Sequence, residues 1–394
     1  MAKKNIVAFY AIVTVASMCA AISCKRDMGK SNVIEMDNMQ VETLYMSDYF
    51  ESIEYIPLET TDECLIGNNA FVYILDEIIV TIDSKNCFVF DRSTGKWIGK
   101  IGHEGRGPGE YSQLLRGPIV NEQDKTIYFG QNDLLVEYSL TDMSASPLSF
   151  QFRPLYADHL AYIQKDLWAV GLLNTTGDNP HQILFYDRTG VVDSIPNHYK
   201  FTLKDPRVIN VYPREIMFYR YDHEVYYKQQ YNDTIFRIAD KELHPAWIFK
   251  TTKSPQALYE LKGDLAALAE NRGNYYLINS ILETNEYLFL SAMYEKVRHS
   301  YLYDKVQRQV TELKENKFIN DIDGGVPFWP VYTDRRQELV CVFDAYALKE
   351  EADDPAPDVR NVKNISDSEK FRTLVSQLNE NDNPVVMIVR PKTK

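Results

Sequence analysis

Short apolar and aromatic runs, each ending in a polar turn, recur along the body of this chain. They are CFVFDRSTGKWIGKIG from Cys87, LLVEYSLTD from Leu134, ILFYDRTG from Ile183, DTIFRIAD from Asp233, SYLYDKVQRQV from Ser300 and ELVCVFDAY from Glu338. The first four lie about 50 residues apart, a period that accommodates several strands per unit with Asp and Gly turns between them. A small sheet of that kind cannot bury its faces alone, so the repetition predicts a β-propeller, in which successive sheets stack around an axis. The 27 tyrosines and 18 phenylalanines agree, because aromatic side chains favour strands and fill the space between stacked sheets.

Two interruptions carry helical spacing instead. Ser254-Pro255 opens one, with Leu258, Leu261, Leu265 and Leu268 along a single stripe. Ser366 with Glu369 forms a capping box ahead of Phe371, Leu374, Val375 and Leu378 in the other. One apolar stripe apiece predicts that both pack on the propeller rim. Between them Lys349 to Asn364, acidic and holding Pro355 and Pro357, reads as a surface loop. Pro384 stops the second helix, and VVMIVRPK from Val385 makes a last strand. A propeller closes its ring by pairing strands from both chain ends in one blade, and the segment Val41 to Glu59 supplies the partner. The expected fold is all-β, a six-bladed β-propeller over residues 37–394 with two short helical insertions; seven blades is the alternative.

The N-terminus reads differently from the body. Lys3 and Lys4 precede an apolar core from Ile6 to Ala21, and Ala21-Ile22-Ser23-Cys24 follows, in the manner of an export signal over residues 1–23. That quartet resembles a bacterial lipobox: Ser23 supplies the small residue before the cysteine, while Ala21 stands where Leu is commonest. Cys24 is the expected lipidation site, with residues 24–36 as a polar tether. An uncleaved anchor fits less well, since the apolar run is shorter than the roughly 20 residues a spanning helix needs. Losing Lys3 and Lys4 moves the formal net charge from −13 to about −15. So acidic a body argues against binding nucleic acid. Beyond Cys24 the mature chain has Cys64, Cys87 and Cys341, without CxxC or Cys/His spacing, so neither a disulfide framework nor a zinc site is indicated.

Several segments together carry a family resemblance: ESIEYIPLET at Glu51 to Thr60, KIGHEGRGPGEY at Lys100 to Tyr111, YNDTIFRI at Tyr231 to Ile238, NDIDGGVPFWP at Asn320 to Pro330, and the terminal NDNPVVMIVRPK. They resemble the six-bladed β-propeller lipoproteins of Bacteroidetes, which are distantly related to NHL- and TolB-type propellers. The resemblance spans nearly the whole mature chain. It implies the propeller fold and an outer-membrane lipoprotein, and it brings no catalytic residues to carry over. His103, Glu104 and Arg106 fill variable positions of the glycine-rich segment, so their charges are not family features.

Candidate chemistry is sparse. Gly105, Gly107 and Gly109 imitate a dinucleotide fingerprint, but that motif must open a helix, whereas Pro108 lies inside this segment and Gly117-Pro118 ends the next. A turn between blades is the favoured reading, with His103, Arg106 and Glu110 as polar contacts should it line a ligand face. In NDIDGG, Asp321, Asp323 and Gly324 could stand at three positions of a calcium loop, yet Ile319 and Pro330 occupy the terminal ligand positions, so an Asp-Gly turn is expected and no metal. Trp329 would suit stacking on a sugar ring at a propeller mouth, or core packing beside Phe328. Arg106, Arg116, Arg153 and Arg214 fall near blade edges and could converge on an acidic ligand in the central funnel; each alone reads as a solvated arginine. No HExxH or GxSxG occurs, and the paired carboxylates of a glycosidase cannot be located from sequence.

These readings lead to a cell-envelope lipoprotein whose propeller binds a ligand or protein partner, without catalysis or cofactor. Glycan or nutrient handling is suggested by the habitat of the family alone. The alternative is a propeller enzyme using the central funnel, either a polysaccharide lyase or hydrolase or a quinoprotein-type dehydrogenase, and a structural assembly role is a third reading. An axial pocket lined by paired carboxylates, or by His and Arg, would favour the enzyme; a funnel filled with aromatics would favour binding.

Overall fold

The computed structural model describes residues 32–67, 70–105, 107, 110–111, 119–131, 134–151, 159–207, 214–353 and 362–392. Their strands gather into six sheets. Blade 1 holds Phe71–Ile74, Ile78–Ile82, Cys87–Asp91 and Trp97–Lys100; blade 2 Ile119–Asn121, Thr126–Gln131, Leu134–Ser139 and Ala145–Gln151; blade 3 His159–Gln164, Leu167–Gly171, His181–Asp187 and Gly190–Pro196. Blade 4 holds Ile216–Tyr221, Glu224–Gln229, Thr234–Ala239 and Glu242–Lys250; blade 5 Leu277–Glu283, Tyr287–Tyr294, Val297–Asp304 and Gln309–Leu313; blade 6 Tyr332–Thr333, Leu339–Phe343, Val385–Pro391 and Phe50–Pro57. This is the six-bladed propeller, not the seven-bladed one.

Five of the repeated sequence runs are the third strands of blades 1 to 5. The sixth, ELVCVFDAY, is the second strand of blade 6, because a helical excursion separates it from the third strand, Val385–Pro391. That last strand pairs antiparallel with Phe50–Pro57, as with Val386 opposite Ile56 and Ile388 opposite Glu54, so the two chain ends close the ring in one sheet. Buried Asn383 reinforces the junction: its side chain accepts from the Ile66 amide at 2.9 Å and donates to the carbonyls of Glu59 and Cys64.

Strand structure starts earlier than the expected boundary at residue 37. Asn32–Glu35 adds in parallel to the outer edge of blade 4, burying Ile34, and Gln40–Glu42 does the same on blade 5. Both outer edges are thereby covered, and unpaired strand edges otherwise invite association.

The core lies between blades. Val80, Ile82 and Val89 of blade 1 interdigitate with Ile127, Phe129 and Tyr138 of blade 2, and Trp247 of blade 4 meets Tyr303 of blade 5 edge-on. Each such buried side chain contributes about 1.5–3 kcal/mol. Cys87 is buried as a small apolar residue and Cys341 is half-buried; neither is in a disulfide.

The insertions differ in detail from the sequence reading. The first is a 3-10 helix over Pro255–Gly263, capped by Ser254, followed by an α-helix over Leu265–Asn271; Asp264 caps the second piece by accepting from the Ala267 amide, which breaks the leucine stripe in two. In the second, Asn364 rather than Ser366 is the cap of the helix Ile365–Gln377, its side chain accepting from the Asp367 amide. The acidic stretch expected to be loop begins as the helix Ala345–Asp353, since its Ala, Leu, Lys and Glu residues are good helix formers and the prolines lie further on. No helix among the described residues is long and apolar enough to cross a membrane.

Candidate functional site

The first strand of each blade faces the axis, and a cavity of about 430 Å³ lies between them. All six blades contribute to its wall, among others through Tyr73, Val120, Tyr162, Arg220, Leu282 and Tyr332. A second cavity of about 150 Å³ continues it toward the turns that follow these strands; Val120, Glu122, Arg220 and Thr333 line both, and so form the partition between them. The larger space falls within the range of small-molecule sites, about 300–1,000 Å³.

Four tyrosines, Tyr73, Tyr162, Tyr219 and Tyr332, stand in this wall, and carboxylates hold the hydroxyls of the last three. Tyr332 donates to Glu122 at 2.5 Å and lies edge-on to Tyr73. Tyr162 donates to Asp124 at 2.9 Å, and Tyr219 to Glu283 at 2.7 Å. The other oxygen of Glu283 accepts from the Lys305 ammonium at 2.7 Å, which sits 4.1 Å from the centre of the Tyr221 ring. Burial raises the pKa of Glu122, with the Tyr332 hydrogen bond and the charges of Arg335 and Arg220 opposing. Burial also pushes the phenols of Tyr219 and Tyr332 well above their usual value. The hydrogen bonds to Asp124, Glu283 and Glu122 hold the rings of Tyr162, Tyr219 and Tyr332 in place.

Two arginines belong to the same axial strand region of blade 4. Arg220 donates to the carbonyl of Tyr162 and, at 3.4 Å, to that of His223, with its guanidinium 5.9 Å from the centre of the Tyr162 ring. Burial lowers its pKa, and Glu122 opposes that shift. Arg214, just ahead of the strand and in the left-handed region at φ 61°, donates to the carbonyl of Asn279 at 3.3 Å. Both thus meet main-chain oxygens, and neither forms an ion pair among the described residues. Between them the wall is apolar, with Ile119, Leu160, Phe218 and Ile281.

A charged cluster flanks this region without lining the larger cavity. Glu338 receives Arg92 of blade 1 and, at 2.7 Å, Arg390 of the closing strand, which also reaches Glu54 at 3.1 Å. Burial opposes ionisation of Glu338, but the two arginines outweigh it and hold its pKa below the usual value. Neighbouring Asp334 is raised by burial, with the charge of Glu338 adding to the effect. The cluster ties blade 1 to blade 6.

Of the residues singled out from sequence, Arg214 lines the axial cavity and the other described ones do not. His103 and Glu110 sit on the connection between blades 1 and 2, where Glu110 accepts from the His103 ring at 2.8 Å and from the Gly107 amide at 2.6 Å, closing the glycine-rich turn on itself. Asp323 is buried and accepts from Asn320 at 2.7 Å and from the Gly325 amide at 2.8 Å, while Asp321 is bound by Ser47. The NDIDGG turn is thus wired internally, and no cluster of His, Cys, Asp and Glu suited to a metal occurs among the described residues. Trp329 is buried between blades 5 and 6, stacked on Phe318 at 6.1 Å and edge-on to Phe289. Arg106, Arg116, Arg153 and Cys24 lie outside the described residues.

Sequence reasoning missed Arg220, Glu122 and the four tyrosines because it looked for site residues in loops. The available signal was a cation inside the otherwise apolar and aromatic strand-like run IMFYRY, whose charge keeps that position out of the packed layers between blades.

The fold has relatives among solved structures. The chain is similar to a Bacteroides fragilis protein assigned as exported, with 21% identity over 92% of this chain and 100% of that one and a TM-score of 0.70. It is also similar to the extracellular domain of a protein from B. thetaiotaomicron assigned as a one-component system, at 14% identity over 77% of this chain and 32% of that one; the TM-score of 0.37 carries no argument. No curated protein matches the chain. The model of one family, described as a domain of unknown function (DUF4934), matches residues 31–390, and so the chain belongs to the DUF4934 family.

Proposed function

We propose that this protein is an envelope lipoprotein whose propeller is a ligand-binding module working through its axial cavity. The observation that carries the reading is the cavity itself: about 430 Å³ on the propeller axis, walled by all six blades and lined by tyrosines of which Tyr162, Tyr219 and Tyr332 have anchored hydroxyls. A preformed, largely apolar space with a few fixed polar groups is what small-ligand sites share. In the larger cavity binding is favoured over glycoside cleavage because Glu122 is the acidic residue in its wall and is bonded to Tyr332, whereas glycosidases use two opposed carboxylates; Asp222, Glu283 and Asp334 line the smaller cavity beyond.

The envelope assignment rests on the Lys3-Lys4 start, the apolar core and the Ser23-Cys24 junction, and the exported assignment of the B. fragilis relative agrees with it. Glycan or nutrient handling remains attached to the family resemblance.

The test is a thermal-shift and calorimetric screen of the mature protein against oligosaccharides and organic acids, repeated on Thr333→Trp, which fills the junction of the two cavities. At least one ligand class should bind the native protein and not the variant. Undiminished binding by a folded Thr333→Trp would move the site off the axis. For the anchor, the full-length protein should enter the detergent phase on Triton X-114 partitioning and Cys24→Ala should not.

A further inference from the structure

We infer that the axial cavity takes an elongated organic anion with an apolar body, its oxyanion held by Arg220 or Arg214. The inference rests on the ligand-binding reading above and names the class of ligand.

Charge selects an anion. Both guanidiniums line the larger cavity, both are hydrogen-bonded to main-chain carbonyls, and neither forms an ion pair among the described residues. Among the described residues the single acidic side chain in that wall, Glu122, is engaged by Tyr332. The cavity therefore carries a positive excess inside a chain whose formal net charge is −13. Both side chains are solvent-exposed on the cavity wall, and a guanidinium with donors left over is matched by a carboxylate or another planar or tetrahedral oxyanion, which it can hold through two parallel hydrogen bonds.

Shape selects an elongated one. Arg220 lies within the strand Ile216–Tyr221 and Arg214 in the turn ahead of it, so their main chains are separated by at most about 20 Å at roughly 3.3 Å per residue. The wall between them offers Ile119, Leu160, Phe218 and Ile281, which suit a hydrocarbon or aryl body. Of the four tyrosines in that wall, Tyr162, Tyr219 and Tyr332 have their hydroxyl protons committed to Asp124, Glu283 and Glu122, which leaves a neutral sugar few donors. An acid with a charge at each end can engage both arginines; a monoacid engages one.

Dodecanedioate, 1,12-dodecanediol and 1,12-diaminododecane share length and apolar body and differ in end charge, so calorimetric titration of the mature protein with the three isolates the anion. The diacid should bind at least about 10-fold more tightly than the diol, and the diamine more weakly than either. Arg220→Gln, with its unfolding midpoint checked, should weaken the diacid about 10- to 100-fold and leave the diol unchanged. Should that variant not fold, Arg220→Lys, which keeps the charge without the fork, should retain diacid binding at an intermediate affinity. Equal affinity for diol and diacid, or equal losses of both in Arg220→Gln, overturns the anion assignment while leaving the cavity a binding site. Silence with all three probes, together with no ligand lost in Thr333→Trp, overturns both.

Discussion

The Tyr332 hydroxyl of blade 6 donates to the Glu122 carboxylate beside blade 2, 2.5 Å away, so that one hydrogen bond links two blades that are not neighbours. It passes over the first strand of blade 1, where Tyr73 lies edge-on to Tyr332 at 5.3 Å. Burial already disfavours the ionised form of Glu122, and this bond does most to restore it. Tyr332→Phe is therefore expected to raise the Glu122 pKa further and to cost about 1–3 kcal/mol at pH 8, where the ionised carboxylate keeps the Arg335 and Arg220 charges but loses its hydroxyl donor. The raised folded pKa means that the penalty shrinks as pH falls and Glu122 takes up its proton. Urea unfolding at pH 8 and pH 4.5 checks this; equal losses at both would show that the hydroxyl contributes packing alone.

Glu338 is shared by Arg92 and Arg390, joining the first blade to the strand that closes the ring. Glu338→Gln takes the shared carboxylate from both guanidiniums, leaving Arg92 with Asp334 at 3.7 Å and Arg390 with Glu54 at 3.1 Å. Loss of one partner from a buried ion pair costs about 3–5 kcal/mol, and the half-exposed Arg390 places this case at the lower end. Because the folded pKa of Glu338 is depressed, the stabilisation is present above its unfolded value and disappears as pH falls through the folded one. Denaturant unfolding of both proteins at pH 7 should differ by about 3 kcal/mol; a difference below about 1 kcal/mol would assign the cluster the weight of a surface pair.

Lys228 is fully enclosed in blade 4, donating to the carbonyls of Gln229 and Asn232, and burial lowers its pKa to about 7. Between that value and the unfolded one near 10.5 the unfolded chain binds a proton that the native state has released, so stability rises with pH. The native protein should gain about 2 kcal/mol from this group between pH 7 and pH 9, and Lys228→Met should lack that gain. Parallel pH dependences of the two unfolding free energies would show that Lys228 titrates near its ordinary value in the fold.

Gly102 opens the glycine-rich turn at φ 56°, and a Cβ there would come within 2.8 Å of the Tyr138 ring and 3.1 Å of Tyr111. Both rings belong to the packed layer between blades 1 and 2. Gly102→Ala is expected to lose about 1–3 kcal/mol in urea unfolding, from left-handed backbone and ring displacement together. No measurable change would mean that the turn relaxes freely and does not brace the two blades.

The glycine-rich turn and the NDIDGG turn were both legible as turns, since glycine and Asp-Gly pairs act through local backbone conformation. Their partners were not. That Glu110 folds back on His103 and the Gly107 amide, or that Ser47 reaches Asp321, depends on side-chain geometry that spacing does not encode. Trp329 shows the same limit: its burial against Phe318 and Phe289 follows from how blades 5 and 6 stack. The Asn364 cap was missed because two polar residues in close succession could each begin that helix, and only the backbone path selects one.

The all-β class, the six repeated units and the closure of the ring by both chain ends follow from alternation and period, which are local properties of a strand and its turn. The site is of another kind. Glu122, Tyr162, Arg220 and Tyr332 come from four blades spread over more than half of the chain, and they meet because the ring brings every first strand to one axis. Period and polarity pattern place a residue within its blade, but which side chains face one another across the axis is decided by ring closure, stagger and side-chain direction, and these exist only in the folded protein.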